Sequence, residues 1–116
     1  MQIKVDINKT YQTFEGIGAS GAWWAQLVGG WEHIDTASGL FVRDKIAELL
    51  YSKDKGIGMN IYRYNIGGGS VHSGKGEYSQ PLRATECFEV SAGKYDWNRD
   101  KNAVYMMKKA VENGAD

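Results

Sequence analysis

The sequence predicts an α/β fold that stops partway, and three observations lead there. Residues 11–20 and 57–66 read as strands, each apolar in its body and rich in glycine or polar residues at its exit. Residues 40–55 between them carry an apolar stripe at helical spacing, and a second such stripe follows residue 96. Strand–helix–strand units build parallel sheets, and a parallel sheet needs both faces covered. Two strands and two helices cannot cover both, so the architecture is unfinished as it stands.

In chain order, Ile3, Val5 and Ile7 alternate with Lys4 and Asp6, which predicts a short half-exposed leading strand within residues 1–10. Residues 11–116 then form the α/β unit. Residues 22–28 read as a short helix carrying Trp23 and Trp24 and stopped by Gly29-Gly30, and 31–39 as a loop. In the helix over 40–55 the stripe is Val42, Ile46, Leu49 and Leu50, with Ser38 as a cap and Gly56 as a left-handed stop. Residues 67–95 are polar and irregular, apart from a short strand near Phe88. Asp96 or Asn98 caps the last helix, whose stripe is Ala103, Val104, Met107, Ala110 and Val111, with Gly114 as its stop.

Side chains on a strand alternate, so Met59, Ile61, Arg63 and Asn65 share one face of the second strand and Asn60, Tyr62, Tyr64 and Ile66 the other. The first face runs from oily to polar along its length. A cation there is costly without a partner or solvent, which points to a site at the carboxyl end of the strand.

Composition narrows the function. Fourteen basic residues balance fourteen acidic ones, so no net field draws in nucleic acid or an anionic membrane. No run is long and apolar enough for a signal peptide or a membrane span, which sets the expectation of a cytoplasmic chain, or an extracellular one if the start is incomplete. Cys87 stands alone, so no internal disulfide forms. With only His33 and His72 besides it, no metal site is expected, and no cofactor.

Two glycine motifs fail on inspection. Gly16-Ile17-Gly18-Ala19-Ser20-Gly21 matches the dinucleotide fingerprint, but bulky Trp23 and Trp24 follow where a diphosphate would lie, and no acidic residue ends the next strand. The run Gly69 to Gly76 nearly matches a phosphate loop but ends in glycine where a magnesium-binding hydroxyl is needed.

The segments Thr13-Phe14-Glu15-Gly16-Ile17-Gly18-Ala19-Ser20 and Gly56-Ile57-Gly58-Met59-Asn60-Ile61-Tyr62-Arg63-Tyr64-Asn65, with their spacing, resemble the start of glycoside hydrolase family 30, in particular its endo-β-1,6-galactanase-like branch. The resemblance covers essentially all 116 residues. It implies the N-terminal part of a (β/α)8 TIM barrel, about two β/α units, preceded by a strand that joins an accessory β-sandwich. It also implies retaining hydrolysis of a β-linked glycan by two glutamates about 5 to 5.5 Å apart on barrel strands four and seven. Neither strand lies in this chain, so the piece alone is expected to be inert and, with apolar faces uncovered, to self-associate. Glu77, Glu86 and Glu89 are read as solvated loop residues. Arg63 matches a substrate-binding arginine of the second barrel strand, and Asn65 lies one step nearer the mouth. Ser20, Trp23 and Trp24 are expected as wall and stacking residues of the cleft. Ser70 stands where some relatives carry an aspartate. A non-catalytic carbohydrate-binding module using Trp23 and Trp24 is the alternative; its usual strand-rich sandwich disagrees with two amphipathic helices.

Overall fold

The computed structural model describes residues 2–67 and 85–116. Within them the elements run β1 (Gly18–Ser20), α1 (Trp24–Val28), α2 (Val42–Tyr51), β2 (Ile61–Arg63), β3 (Glu89–Ser91), β4 (Lys94–Tyr95) and α3 (Lys101–Glu112). β1 and β2 pair in parallel, with Gly18 opposite Ile61, Ala19 opposite Tyr62 and Ser20 opposite Arg63. β3 and β4 form a separate antiparallel hairpin, the strand expected near Phe88 together with its return.

Both strands of the parallel pair are far shorter than the ten-residue runs expected. A ladder exists only where two backbones lie side by side, and here side-chain bonding replaces it at the entry. The Asn60 amide accepts from Ile17 N–H (3.0 Å) and donates to the Glu15 carbonyl (2.9 Å), stapling the approach to β1 without a strand. Gly58, at φ +67°, turns the chain just ahead of β2, a conformation that glycine adopts at little cost. That turn also upsets the expected alternation, because Met59 packs with Tyr51 and Tyr62 instead of sharing the Ile61 face.

The leading strand is not formed among the described residues. Ile3, Val5 and Ile7 are all exposed and pair with nothing, because an isolated strand has no ladder to join.

Helix α2 begins at Val42 after Phe41, whose extended backbone makes it the cap residue without a side-chain cap bond. Ser38 is not that cap, since its hydroxyl and N–H both donate to the Asp35 carboxylate. Ser52 leaves the helix in an extended conformation. Gly56 does not supply the left-handed stop. It packs against the carbonyls of Glu48 and Leu49, leaving no room for a Cβ, and the positive φ lies at Gly58.

The buried stripes agree with those expected at Ile46, Leu50, Ala103 and Ala110 and are shifted elsewhere. On α2 the fully buried residues are Ala47 and Tyr51, with Ile46 and Leu50 beside them, while Leu49 is exposed. On α3 they are Ala103, Met106 and Ala110, while Val111 faces outward. The reason is close approach: small alanines let α3 settle against α1 and α2, and Gly29 leaves no space for a Cβ beneath the Asn102 carbonyl. Asp100, not Asp96 or Asn98, precedes α3, and Gly114 at φ +109° ends it as expected. Asp96 instead accepts the Asn98 N–H in a local turn (3.0 Å).

Arg43 ties the helices together at their outer edge. Its guanidinium lies 3.9 Å from the Tyr105 ring centroid and donates to the Gly29 carbonyl (2.8 Å), while the Tyr105 hydroxyl donates to Asp44 (2.7 Å).

All of this packing lies on one side of the parallel pair. Tyr64 packs into the cluster of Ala25, Val28, Ala47, Ala103 and Met106, and Tyr62 into that of Tyr51, Ala110 and Ala115. Ile61 and Arg63, on the opposite face, are exposed, and so are Phe14 and Ile17 near the same strand pair. The radius of gyration is 18.3 Å, against about 13 Å for a compact chain of this length. The sheet is half covered, as its strand and helix count requires.

The shifted positions are tested by a pair of truncations in protein carrying this segment, read by urea denaturation. Met106→Ala is expected to cost about 2–5 kcal/mol, as for other buried large-to-small changes. Leu49→Ala is expected to cost about 1 kcal/mol or less. Equal losses would restore the stripe through Leu49.

Candidate functional site

The parallel register sets the site. It places Ser20 and Arg63 side by side at the carboxyl ends of β1 and β2, and Gly21 N–H continues the ladder to the Arg63 carbonyl (3.0 Å). Arg63 is exposed on the uncovered face, and no ion pair involves it among the described residues. The desolvation cost anticipated for a cation on this strand is therefore met by water on an open face.

The Ser20 hydroxyl accepts the Ala22 N–H (3.2 Å), and the Ser20 carbonyl accepts the Trp24 indole N–H (2.8 Å). Trp24 is half buried and packs against the Ala25–Met106 cluster, so it supports the Ser20 corner from beneath. Trp23 is 46% exposed and is the tryptophan of the pair that offers surface. The two tryptophans thus differ, Trp24 bracing the corner and Trp23 presenting surface.

Asn65, half buried just past β2, donates to the Thr85 hydroxyl (3.3 Å), and Thr85 is itself buried. Ser70, Glu77, His72 and the near-phosphate loop lie outside the described residues. The three glycines of the dinucleotide-like motif each have a structural use. Gly16 makes room for the Asn60 amide, Gly18 for the Ile61 backbone and Gly21 for the Tyr62 hydroxyl. Asn60, Ile61 and Tyr62 thus account for all three glycines by close packing.

A polar cluster that sequence reading missed lies directly behind this corner. The Tyr64 hydroxyl donates to the Asp100 carboxylate (2.5 Å), and the Asp100 N–H donates to Glu86 (2.5 Å). Asp100 is only 4% exposed and sits in the left-handed region at φ +48°, which aspartate and asparagine tolerate best after glycine. Burial pushes its carboxyl above the usual range and the nearby Glu86 carboxylate adds to this, while hydrogen bonds from Tyr64 and Gln26 oppose it. Burial, then the bond to Asp100, pushes the Tyr64 hydroxyl well above an ordinary phenol. Tyr64 therefore acts as a fixed donor. Glu86 is not the solvated loop residue expected, since it closes the turn into α3, whereas Glu89 does remain exposed and accepts the Gly93 N–H (2.8 Å). The available signal was Tyr64 itself, a phenol on the helix-facing parity of β2 that needs an acceptor once buried.

Among the described residues no group of histidine, cysteine, aspartate or glutamate is arranged to hold a metal, and no helix is long and apolar enough to cross a membrane.

A family model described as O-glycosyl hydrolase family 30 matches residues 1–116. The chain belongs to O-glycosyl hydrolase family 30. An endo-beta-1,6-galactanase from Hypocrea rufa is 30% identical over 97% of this family 30 chain, which covers 26% of that protein. A conserved exported protein from Bacteroides fragilis, known from its crystal structure, superposes with a TM-score of 0.74 at 28% identity over 94% of this chain, which covers 23% of it. The chain spans about a quarter of the length of these relatives.

The buried Asp100 generates a pH prediction. A carboxyl whose folded value lies above its unfolded one, 3.8 by reference, binds its proton more tightly when folded. Its contribution to stability is greatest at low pH and falls as pH rises through the folded value. Asp100→Asn keeps the left-handed backbone and an acceptor for Tyr64, so it should flatten this slope as pH rises above the unfolded value of 3.8 in urea denaturation. Asp100→Ala should instead destabilise by about 1–3 kcal/mol at all pH, because the Tyr64 hydroxyl loses its acceptor. An unchanged slope in Asp100→Asn would assign the titration to another group.

Proposed function

We propose that this chain is the amino-terminal portion of a retaining glycoside hydrolase that cleaves β-1,6-linked galactan. The observation that carries the reading is the pairing of Ser20 with Arg63 at the carboxyl end of a parallel strand pair whose other face is bare, in a chain of this family. On this reading β1 and β2 are the first two strands of a (β/α)8 barrel. The helices lie outside and the Ile61–Arg63 face turns inward, where further strands bury it. Residues 1–10 leave the barrel to join an accessory β-sandwich, and residues 11–116 remain with the barrel.

Catalysis belongs to a pair of carboxyl groups beyond these residues, one acting as nucleophile and the other as acid and base, so the segment alone is inert. A complete barrel takes about 250 residues, and the relatives are about four times the length of this chain. Arg63 binds rather than reacts. Its guanidinium, anchored on a rigid strand, donates charge-assisted hydrogen bonds to a sugar hydroxyl or to the nucleophile carboxylate. Asn65 supplies a further amide toward the mouth, and Ser20 and Trp23 form the adjoining wall, held in shape by Trp24.

The test is hydrolysis of β-1,6-galactan by the intact enzyme, followed by NMR of the first anomer released. Retained configuration is expected, and an inverted product would overturn the double-displacement reading. Arg63→Ala in the same enzyme should lower kcat/KM by about ten- to a hundredfold, as for a lost hydrogen bond to a charged group. Its fold should stay intact because the side chain supports no packing here. Unaltered kinetics would remove Arg63 from the site.

A further inference from the structure

We propose that the β3–β4 hairpin carries a second glycan contact, a stacking subsite for a β-linked hexopyranose formed by Trp97 with Tyr95 and Phe88. This rests on the glycoside hydrolase reading above and extends it to residues that the strand-end site does not include. Trp97 is 72% exposed and Tyr95 54%, high values for large aromatics on a hairpin. They are nevertheless not loose. The Tyr95 and Trp97 rings stack at 5.3 Å with an interplanar angle of 7°, and the Phe88 ring lies 5.5 Å from Trp97 at 35°. An indole this exposed cannot have both faces covered by Tyr95 and Phe88, so one face points outward from this segment in a set orientation.

The backbone explains the arrangement. Tyr95 ends β4 and Trp97 follows in the Asp96–Asn98 turn, which carries its ring back over Tyr95, and Asp96 N–H donates to the Phe88 carbonyl (2.8 Å), bringing Phe88 alongside. Glu89 accepts the Gly93 N–H and fixes the turn, where Gly93 has φ +71°. The base of the hairpin is clamped by Glu86 on Asp100 and by Tyr64 on Asp100. Trp97 is three residues from Asp100, which limits the separation of their Cα atoms to about 10 Å. The platform is therefore tethered to Tyr64, the neighbour of Arg63, at the carboxyl end of β2.

Pre-stacked rings lose little side-chain freedom on binding, and a flat indole face matches the clustered C–H bonds on one face of a galactopyranose. The occupant is one hexose unit of a β-linked chain whose other units lie at the Arg63 end. Such a contact helps hold a polymer and does nothing to a bond being cleaved, so its loss should appear in KM.

The experiment compares wild-type, Trp97→Ala and Trp97→Phe forms of the intact enzyme on β-1,6-galactan polymer and on the shortest oligomer it cleaves. Trp97→Ala should raise KM for the polymer about tenfold with kcat and the melting temperature unchanged, should leave the shortest oligomer unaffected, and should be largely rescued by Trp97→Phe. Wild-type activity on galactan with unchanged polymer KM in Trp97→Ala would overturn the subsite alone. A large loss of melting temperature would also overturn it, showing that the indole packs against another part of the enzyme. A wild-type enzyme that neither binds nor cleaves galactan would overturn the functional reading and the subsite with it.

Discussion

Everything in this structure depends on two parallel strands that have only one face covered. Parallel pairing needs a crossover, and the crossover through α1 and α2 puts helices on the side where Tyr62 and Tyr64 point. The same geometry leaves Ile61 and Arg63 bare on the other side. A single register therefore produces both the core and the candidate site, because the residues that alternate away from the helices at the strand ends are Ser20's neighbour Arg63 and, behind it, an apolar floor.

The supporting interactions hold that corner rigid. Asn60 staples the strand entries, the Trp24 indole fastens the Ser20 carbonyl, and Tyr64 reaches back to Asp100 at the start of α3. The Asp100 contact also decides where the β3–β4 hairpin sits, since Glu86 binds the Asp100 N–H from the residues leading into it. A buried carboxylate in a left-handed residue is costly on both counts. Here it joins three elements, β2, the segment leading into the hairpin, and α3.

Family membership gives this geometry a chemical context. A cation on the bare face of an isolated half-sheet would mean little, but in a family 30 chain it supports the proposal that this strand end faces a substrate. The division of labour that follows is spatial. On the proposed reading the first strands would bind sugar, and carboxylates brought by later strands would do the chemistry.

Much of this was legible in the residues. The strand–helix–strand–helix order, the parity that separates Arg63 from Tyr64, the stop at Gly114 and the family resemblance all follow from local pattern, because alternation, helical spacing and glycine punctuation are properties of neighbouring residues. Other features were decided only by tertiary contact. Strand length depends on where two backbones meet, so ten-residue apolar runs became three-residue ladders. The buried faces of α2 and α3 took in Ala47, Tyr51 and Met106 and left out Leu49 and Val111, because the direction from which neighbouring helices approach is set by tertiary packing, which periodicity of large apolar side chains does not register. Trp23 and Trp24 look equivalent in sequence, yet a carbonyl within reach of one indole turned Trp24 inward and left Trp23 outside. The Tyr64–Asp100–Glu86 link joins residues up to 36 positions apart, and only the folded chain brings such partners together.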